Sequence, residues 1–119
     1  MPKIVVIDDS KMILILLQRM LEAAGHEVVT LQEITAGEVG ERISAEDPAL
    51  VITDYQMPGC NGSTLVGMAR KVKPDLPIIV ITASHDPDVV EKLKRQGVGW
   101  ILFKPIQQAE LSRALAEAL

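Results

Sequence analysis

The chain has 119 residues, 48% of them apolar and 24% charged, with 16 acidic and 12 basic side chains that leave a net charge of −4. That length and composition fit one globular domain with its own core and exclude a disordered chain, while the acidic balance argues against a nucleic-acid surface, which needs clustered Lys and Arg. The single cysteine, Cys60, rules out an internal disulfide, and the longest apolar stretch, Met12 to Leu17, falls far short of the ~20 residues a membrane span requires.

The first short apolar run, Ile4 to Ile7, ends in Asp8-Asp9. Ile13, Leu16, Leu17, Met20, Leu21 and Ala24 then recur at helical spacing, and Gly25 closes the segment as a C-terminal cap. Val28 to Leu31 reads as a second strand. Thr35-Ala36-Gly37-Glu38 has the form of a capping box, which predicts a helix running from there to about Ala45, and Pro48 blocks its continuation. The third run, Leu50 to Thr53, ends in Asp54 and leads through the turn-rich Met57-Pro58-Gly59-Cys60-Asn61-Gly62 into a helix reaching about Val72. Pro74 and Pro77 bracket the entry to a fourth run, Ile78 to Ile81, which ends in Thr82. Asp86-Pro87 combines an N-cap with proline at the first helical position, and Gly97 terminates that helix. The last run, Trp100 to Phe103, ends in Lys104-Pro105, and a final helix carries Leu111, Leu115 and Leu119 on one stripe. Continuous apolar runs of this length are strands buried on both faces, as in a parallel sheet covered by helices. Right-handed crossovers then give a three-layer α/β sandwich.

In open sheets of this kind ligands gather beyond the carboxyl ends of the strands. The strand terminators Asp8-Asp9, Asp54, Thr82 and Lys104 therefore face one crevice. Each has an ordinary explanation when taken alone. Asp8-Asp9 can cap the helix that follows, Asp54 can form a turn, Thr82 is an unremarked strand residue, and Lys104 is an exposed lysine before a loop proline. The set is harder to explain that way. Grouped carboxylates repel unless a hard cation lies between them, and Mg²⁺ accepts one or two carboxylates together with phosphate oxygens and water. The pattern points to phosphoryl chemistry on an aspartate. Lys92, Lys94 and Arg95 read as a solvated helix face, and Cys60, with no His or Cys beside it, has no metal or catalytic role.

Val5-Val6-Ile7-Asp8-Asp9-Ser10, Val51-Ile52-Thr53-Asp54-Tyr55-Gln56-Met57-Pro58, Gly62, Ile79-Val80-Ile81-Thr82-Ala83, Gly97 and Lys104-Pro105 together closely resemble the response-regulator receiver domain. This is the chemotaxis-type fold of bacterial two-component signalling, and the resemblance covers the whole chain. It implies a flavodoxin-like α/β fold with a parallel sheet of order 2-1-3-4-5, one receiver domain over residues 1–119, and Asp54 as the phosphoacceptor. It also implies that Asp9 and Asp54 bind Mg²⁺ directly, that Asp8 binds it mainly through water, and that the backbone carbonyl of Gln56 is a further ligand. Thr82 would bond one phosphoryl oxygen and Lys104 would pair with another. The chain would then be a signalling module rather than an enzyme, limited to self-phosphorylation from small donors and slow autodephosphorylation. Its implied partners are a histidine kinase or histidine phosphotransfer protein and a downstream effector or C-terminal output domain, with no nucleic acid or membrane bound by this domain. With no signal peptide ahead of the first strand, the expected location is the cytoplasm.

The chain departs from the family in places. The position three before the lysine, usually aromatic, holds Ile101, and strand alternation turns the neighbouring Trp100 to the opposite face. Leu14 and Ile15 occupy usually polar positions of the first helix. Ile15, nearly opposite the expected buried stripe, is either a scattered exposed apolar residue or part of a docking surface. His85 reads as a solvent-exposed loop residue and His26 as structural. Two rival readings compete with this one. A haloacid-dehalogenase-type hydrolase places Asp-x-Asp at its first strand, where this chain has adjacent Asp8-Asp9. A pseudo-receiver that no longer accepts phosphate is opposed by the intact Asp9, Asp54, Thr82 and Lys104 and favoured by Ile101.

Overall fold

The computed structural model describes all 119 residues. Strands and helices alternate along the chain: β1 (Lys3–Ile7), α1 (Lys11–Ala23), β2 (Glu27–Leu31), α2 (Ala36–Glu46), β3 (Leu50–Asp54), α3 (Gly62–Val72), β4 (Ile78–Thr82), α4 (Pro87–Arg95), β5 (Trp100–Phe103) and α5 (Gln108–Ala118). The five strands pair in parallel in the order β2-β1-β3-β4-β5, the expected flavodoxin-like sheet.

Alternation along the strands divides the interior into two cores. Val5, Ile7, Val51, Ile78 and Val80 meet Val39 and Ile43 of α2, Leu65, Val66 and Ala69 of α3 and Leu93 of α4. Ile4, Val6, Ile52, Ile79 and Ile81 meet Leu14, Leu17 and Leu21 of α1 and Leu111 and Ala114 of α5. β3 and β4, covered on both faces, are buried throughout, which is why their sequences are apolar without alternation. The edge strand β2 has no fully buried residue.

Two helix faces differ from the sequence expectation. In α1 the buried residues are Leu14, Leu17 and Leu21, whereas Leu16 is 48% exposed. The run Met12 to Leu17 is apolar at every position, so it satisfies more than one helical phase, and contact with the sheet selects the phase that contains Leu14. In α5 Leu111 and Ala114 are buried, but Leu119 lies past the last helical residue and is exposed.

The capping box read at Thr35–Glu38 forms, and Asn61, read only as part of a turn-rich loop, caps α3. The Glu38 carboxylate accepts from the Thr35 amide at 3.1 Å and from its hydroxyl at 2.7 Å, and Asn61 Oδ1 accepts from the Thr64 amide at 2.8 Å. Between α3 and α4, Gln96 Nε2 donates to the Ser63 carbonyl at 3.0 Å while the Ser63 hydroxyl donates to Gln96 Oε1 at 3.1 Å. Arg70 Nε donates to the Gln96 carbonyl at 3.0 Å and Nη2 to the Gly97 carbonyl at 2.9 Å. The C-terminal end of α4 is thereby fixed to α3.

Candidate functional site

Strand register brings the site residues together. Ile7 of β1 pairs with Thr53 of β3, so Asp8 and Asp54 each lie one residue past that pair at neighbouring strand ends. Carboxylate oxygens of Asp8, Asp9 and Asp54 all lie within 4.8 Å of one another. Asp8 and Asp54 are buried, whereas Asp9 is exposed. Lys104 Nζ stands 3.2 Å from Asp54 Oδ1. Thr82, fully buried at the end of β4, completes the group.

Backbone bonds hold these ends in place. The Tyr55 amide donates to the Ile81 carbonyl at 2.8 Å and the Lys104 amide to the Thr82 carbonyl at 2.9 Å, tying β3, β4 and β5 together just where their site residues emerge. The Lys104–Pro105 peptide is cis. Gln56, exposed in the loop after β3, follows Asp54 by two residues.

The electrostatics are those of an anion-crowded site. Burial raises the pKa of Asp8 above the ordinary carboxylate value; the Ser10 amide opposes this, the charges of Asp54 and Asp9 add to it, and Lys104 offsets part of it. The Ser10 amide donates to Asp8 Oδ1 at 2.8 Å, while Asp8 Oδ2 is buried with no hydrogen-bond partner. An orphaned carboxylate oxygen facing two more acids, with one ammonium nearby, fits a hard divalent cation: the donors are all oxygen, and the charge lacks its counterpart without one. Asp8, Asp9 and Asp54 are the residues able to hold Mg²⁺.

Some contributors carry no legible chemistry in the sequence. Ser10 serves twice, its amide bonding Asp8 and its hydroxyl accepting from the Ile13 amide at 3.4 Å to cap α1. Gly62 belongs to the family motif for a steric reason: a Cβ there would stand 2.9 Å from Tyr55 Cα, so only glycine allows α3 to start against the residue after Asp54. Its amide donates to the Tyr55 carbonyl at 2.7 Å. His85 is exposed, as expected, but its ring stacks on Phe103. Trp100 does turn to the α1–α5 side, where its indole N–H donates to Glu117 at 2.8 Å, while Ile101 packs against the opposite core. A cleft of about 540 Å³ opens beside Asp9, between the β2–α2 loop and Met57, Pro58 and Gly59.

Comparison with known proteins agrees with this arrangement. The family described as response regulator receiver domain matches residues 4–116. Transcriptional regulatory protein GlrR of Escherichia coli is 35% identical over 98% of this chain and 26% of its own length. The sensory/regulatory protein RpfC of Xanthomonas campestris is 31% identical over 97% of this chain and 16% of its own length. The chain thus spans about a quarter or less of these relatives. Among solved structures, a receiver domain protein from Clostridium thermocellum superposes with a TM-score of 0.89 at 30% identity, covering 99% of this chain and 94% of that one. Chemotaxis protein CheY4 of Vibrio cholerae gives a TM-score of 0.88 at 26% identity, covering 100% of this chain and 99% of that one. A receiver family match over residues 4–116, the sheet order and the acidic strand ends lead to one assignment: the chain belongs to the response regulator receiver domain family of two-component signalling, a signalling domain and not a conventional enzyme.

Proposed function

We propose that this domain, residues 1–119 as one unit, is the phosphoacceptor of a two-component phosphorelay, and that Asp54 takes the phosphoryl group. The observation that carries the reading is the position of Asp54: a buried carboxylate with an ammonium 3.2 Å away and two further acids within 4.8 Å. An Asp54 oxygen attacks phosphorus, the P–N bond to a phosphohistidine imidazole breaks, and the aspartyl phosphate forms. Lys104 balances charge on the acceptor and then on a phosphoryl oxygen, and the Thr82 hydroxyl bonds another. Asp8, Asp9, Asp54 and the Gln56 carbonyl would hold Mg²⁺, which would supply the remaining neutralisation of acyl and phosphoryl charge. Small phosphodonors would serve the same carboxylate, and slow hydrolysis of the acyl phosphate would reset it. The donor partner is a histidine kinase or histidine phosphotransfer protein, the receiver of the signal is an effector or an output domain, and the setting is the cytoplasm. No helix is long and apolar enough to cross a membrane. Acetyl phosphate with Mg²⁺ is expected to add one phosphoryl mass to the wild type and none to Asp54→Asn. Equal adducts in both would contradict the assignment.

The donor surface is proposed to include the first turns of α1, next to the site. Met12 is 79% exposed and Ile15 43% exposed, although both are apolar. Ile15→Glu is expected to leave folding within ~0.5 kcal/mol of wild type and small-donor phosphorylation unchanged. Transfer from the cognate phosphohistidine protein should slow by roughly tenfold, about the loss of one interface contact of 1.4 kcal/mol. Stopped-flow transfer rates check this, and an unchanged rate would reduce Ile15 to a scattered exposed residue.

A further inference from the structure

The loop from Thr82 into α4 is a ladder of side-chain-to-backbone bonds spaced two residues apart. The Thr82 hydroxyl accepts from the Ser84 amide at 3.0 Å, the Ser84 hydroxyl from the Asp86 amide at 3.2 Å, and the Asp86 carboxylate from the Asp88 amide at 2.9 Å. A hydroxyl at the site is therefore linked stepwise to the first turn of α4, where Asp86 is the N-cap and Pro87 opens the helix. From the middle of this ladder His85 reaches across to β5. Its ring centroid lies 4.3 Å from that of Phe103, with the planes 13° apart.

Phe103 is the register partner of Thr82, so the stack joins loop to strand directly beside the hydroxyl and one residue before Lys104. Ile101 stands on the same face of β5 two residues earlier, half-buried in the α2–α4 core, and has no ring to swing. The aromatic on the Thr82 face of this strand is thus displaced toward the site. Meanwhile the far end of α4 is fixed by Gln96 and Arg70 to α3. Its near end is held by the ladder and the stack.

We propose that the His85–Phe103 stack is a clasp that positions the loop carrying Ser84 to Asp88 and is the contact that phosphorylation of Asp54 works against, an inference that rests on the phosphoacceptor reading above. A Thr82 hydroxyl turning toward a phosphoryl oxygen pulls on the Ser84 amide and, through Ser84 and Asp86, on the start of α4. The two rings must slide or part for the loop to follow. The clasp then sets how often the free domain visits the loop position that phosphorylation selects. A ring pair of an exposed His85 and a half-buried Phe103 is suited to this, because its stacking is modest enough to be overcome by new bonds at the site. His85 and Phe103 are positioning residues on this account and touch no reacting atom.

The first arm of the test uses the free domain. Amide exchange at Ser84, Asp86 and Asp88 is expected to quicken about 2- to 13-fold in His85→Ala and in Phe103→Leu, the range one aromatic pair supplies. The double variant should be no faster than either single one, and Phe103→Tyr, which keeps the ring, should restore wild-type rates. Unchanged exchange in folded Phe103→Leu, or effects of the two substitutions that multiply, would overturn the clasp. The second arm adds beryllofluoride and Mg²⁺ and follows the His85 ring protons by NMR. They are expected to lose the ring-current shift from Phe103 and approach their positions in Phe103→Leu. If the Tyr55 and Thr82 amides respond while the His85 protons stay fixed, the clasp is no part of the switch and the proposal fails. Silence at Tyr55 and Thr82 as well would instead contradict the phosphoacceptor reading, and the exchange arm would still decide the clasp by itself.

Discussion

Saturating Mg²⁺ is expected to raise the melting temperature by roughly 10 °C, and Asp9→Ala is expected to remove most of that rise. A ligand at a hundred times its dissociation constant adds about 2.7 kcal/mol, and a domain of this size gains roughly 4 °C per kcal/mol. The source of the effect is the acid cluster, in which Asp8 is pushed by burial toward its neutral form. A carboxyl whose folded pKa lies above its unfolded value stabilises the fold at low pH, and that contribution is lost as pH rises through the folded value. As pH rises the metal-free domain therefore loses that contribution, and the charges of Asp54 and Asp9 oppose the ionisation of Asp8. Asp8→Asn keeps the acceptor for the Ser10 amide and removes the charge, so it should raise the metal-free melting temperature while blunting the response to Mg²⁺. Differential scanning calorimetry with Mg²⁺ and with chelator checks all three statements. Coincident melts at every metal concentration would show that the cluster holds no cation.

Lys104→Ala is expected to slow phosphoryl gain from a small donor by about a hundredfold, while the residue modified stays the same. Lys104 is the cation paired with the buried Asp54 carboxylate, and removing one fixed charge stabiliser from a partly dry site typically costs a factor of roughly 10²–10³ in rate. Lys104→Arg, which keeps the charge but changes its reach and shape, should fall between the two. Single-turnover phosphorylation followed by intact mass checks this. Wild-type rates in Lys104→Ala would remove the lysine from the proposed chemistry.

The parts that were legible in the sequence are those dictated by strand termination. Uninterrupted apolar runs identified the buried strands, and because ligands in open parallel sheets collect beyond carboxyl ends, Asp8, Asp9, Asp54, Thr82 and Lys104 could be placed at one edge before any contact was known. Caps such as Glu38 on Thr35 and Asp86 with Pro87 marked helix starts to within a residue. The phase of α1 was not legible, since six consecutive apolar residues from Met12 to Leu17 leave the choice between Leu14 and Leu16 to tertiary contact. Nor was the His85–Phe103 stack, whose partners meet only through the pairing of β4 with β5. The need for glycine at position 62 likewise comes from the approach of α3 to Tyr55, a distance that no local pattern encodes.

The most direct measurement is peptide-level mass spectrometry of the domain after transfer from a phosphorylated histidine partner in Mg²⁺, with the acyl phosphate trapped by borohydride reduction. The account predicts a single reduced residue, Asp54, in the peptide that also carries Thr53 and Tyr55, and no reduced residue in Asp54→Asn. Modification at Asp8 or Asp9, or equal phosphoryl uptake by Asp54→Asn, would contradict it.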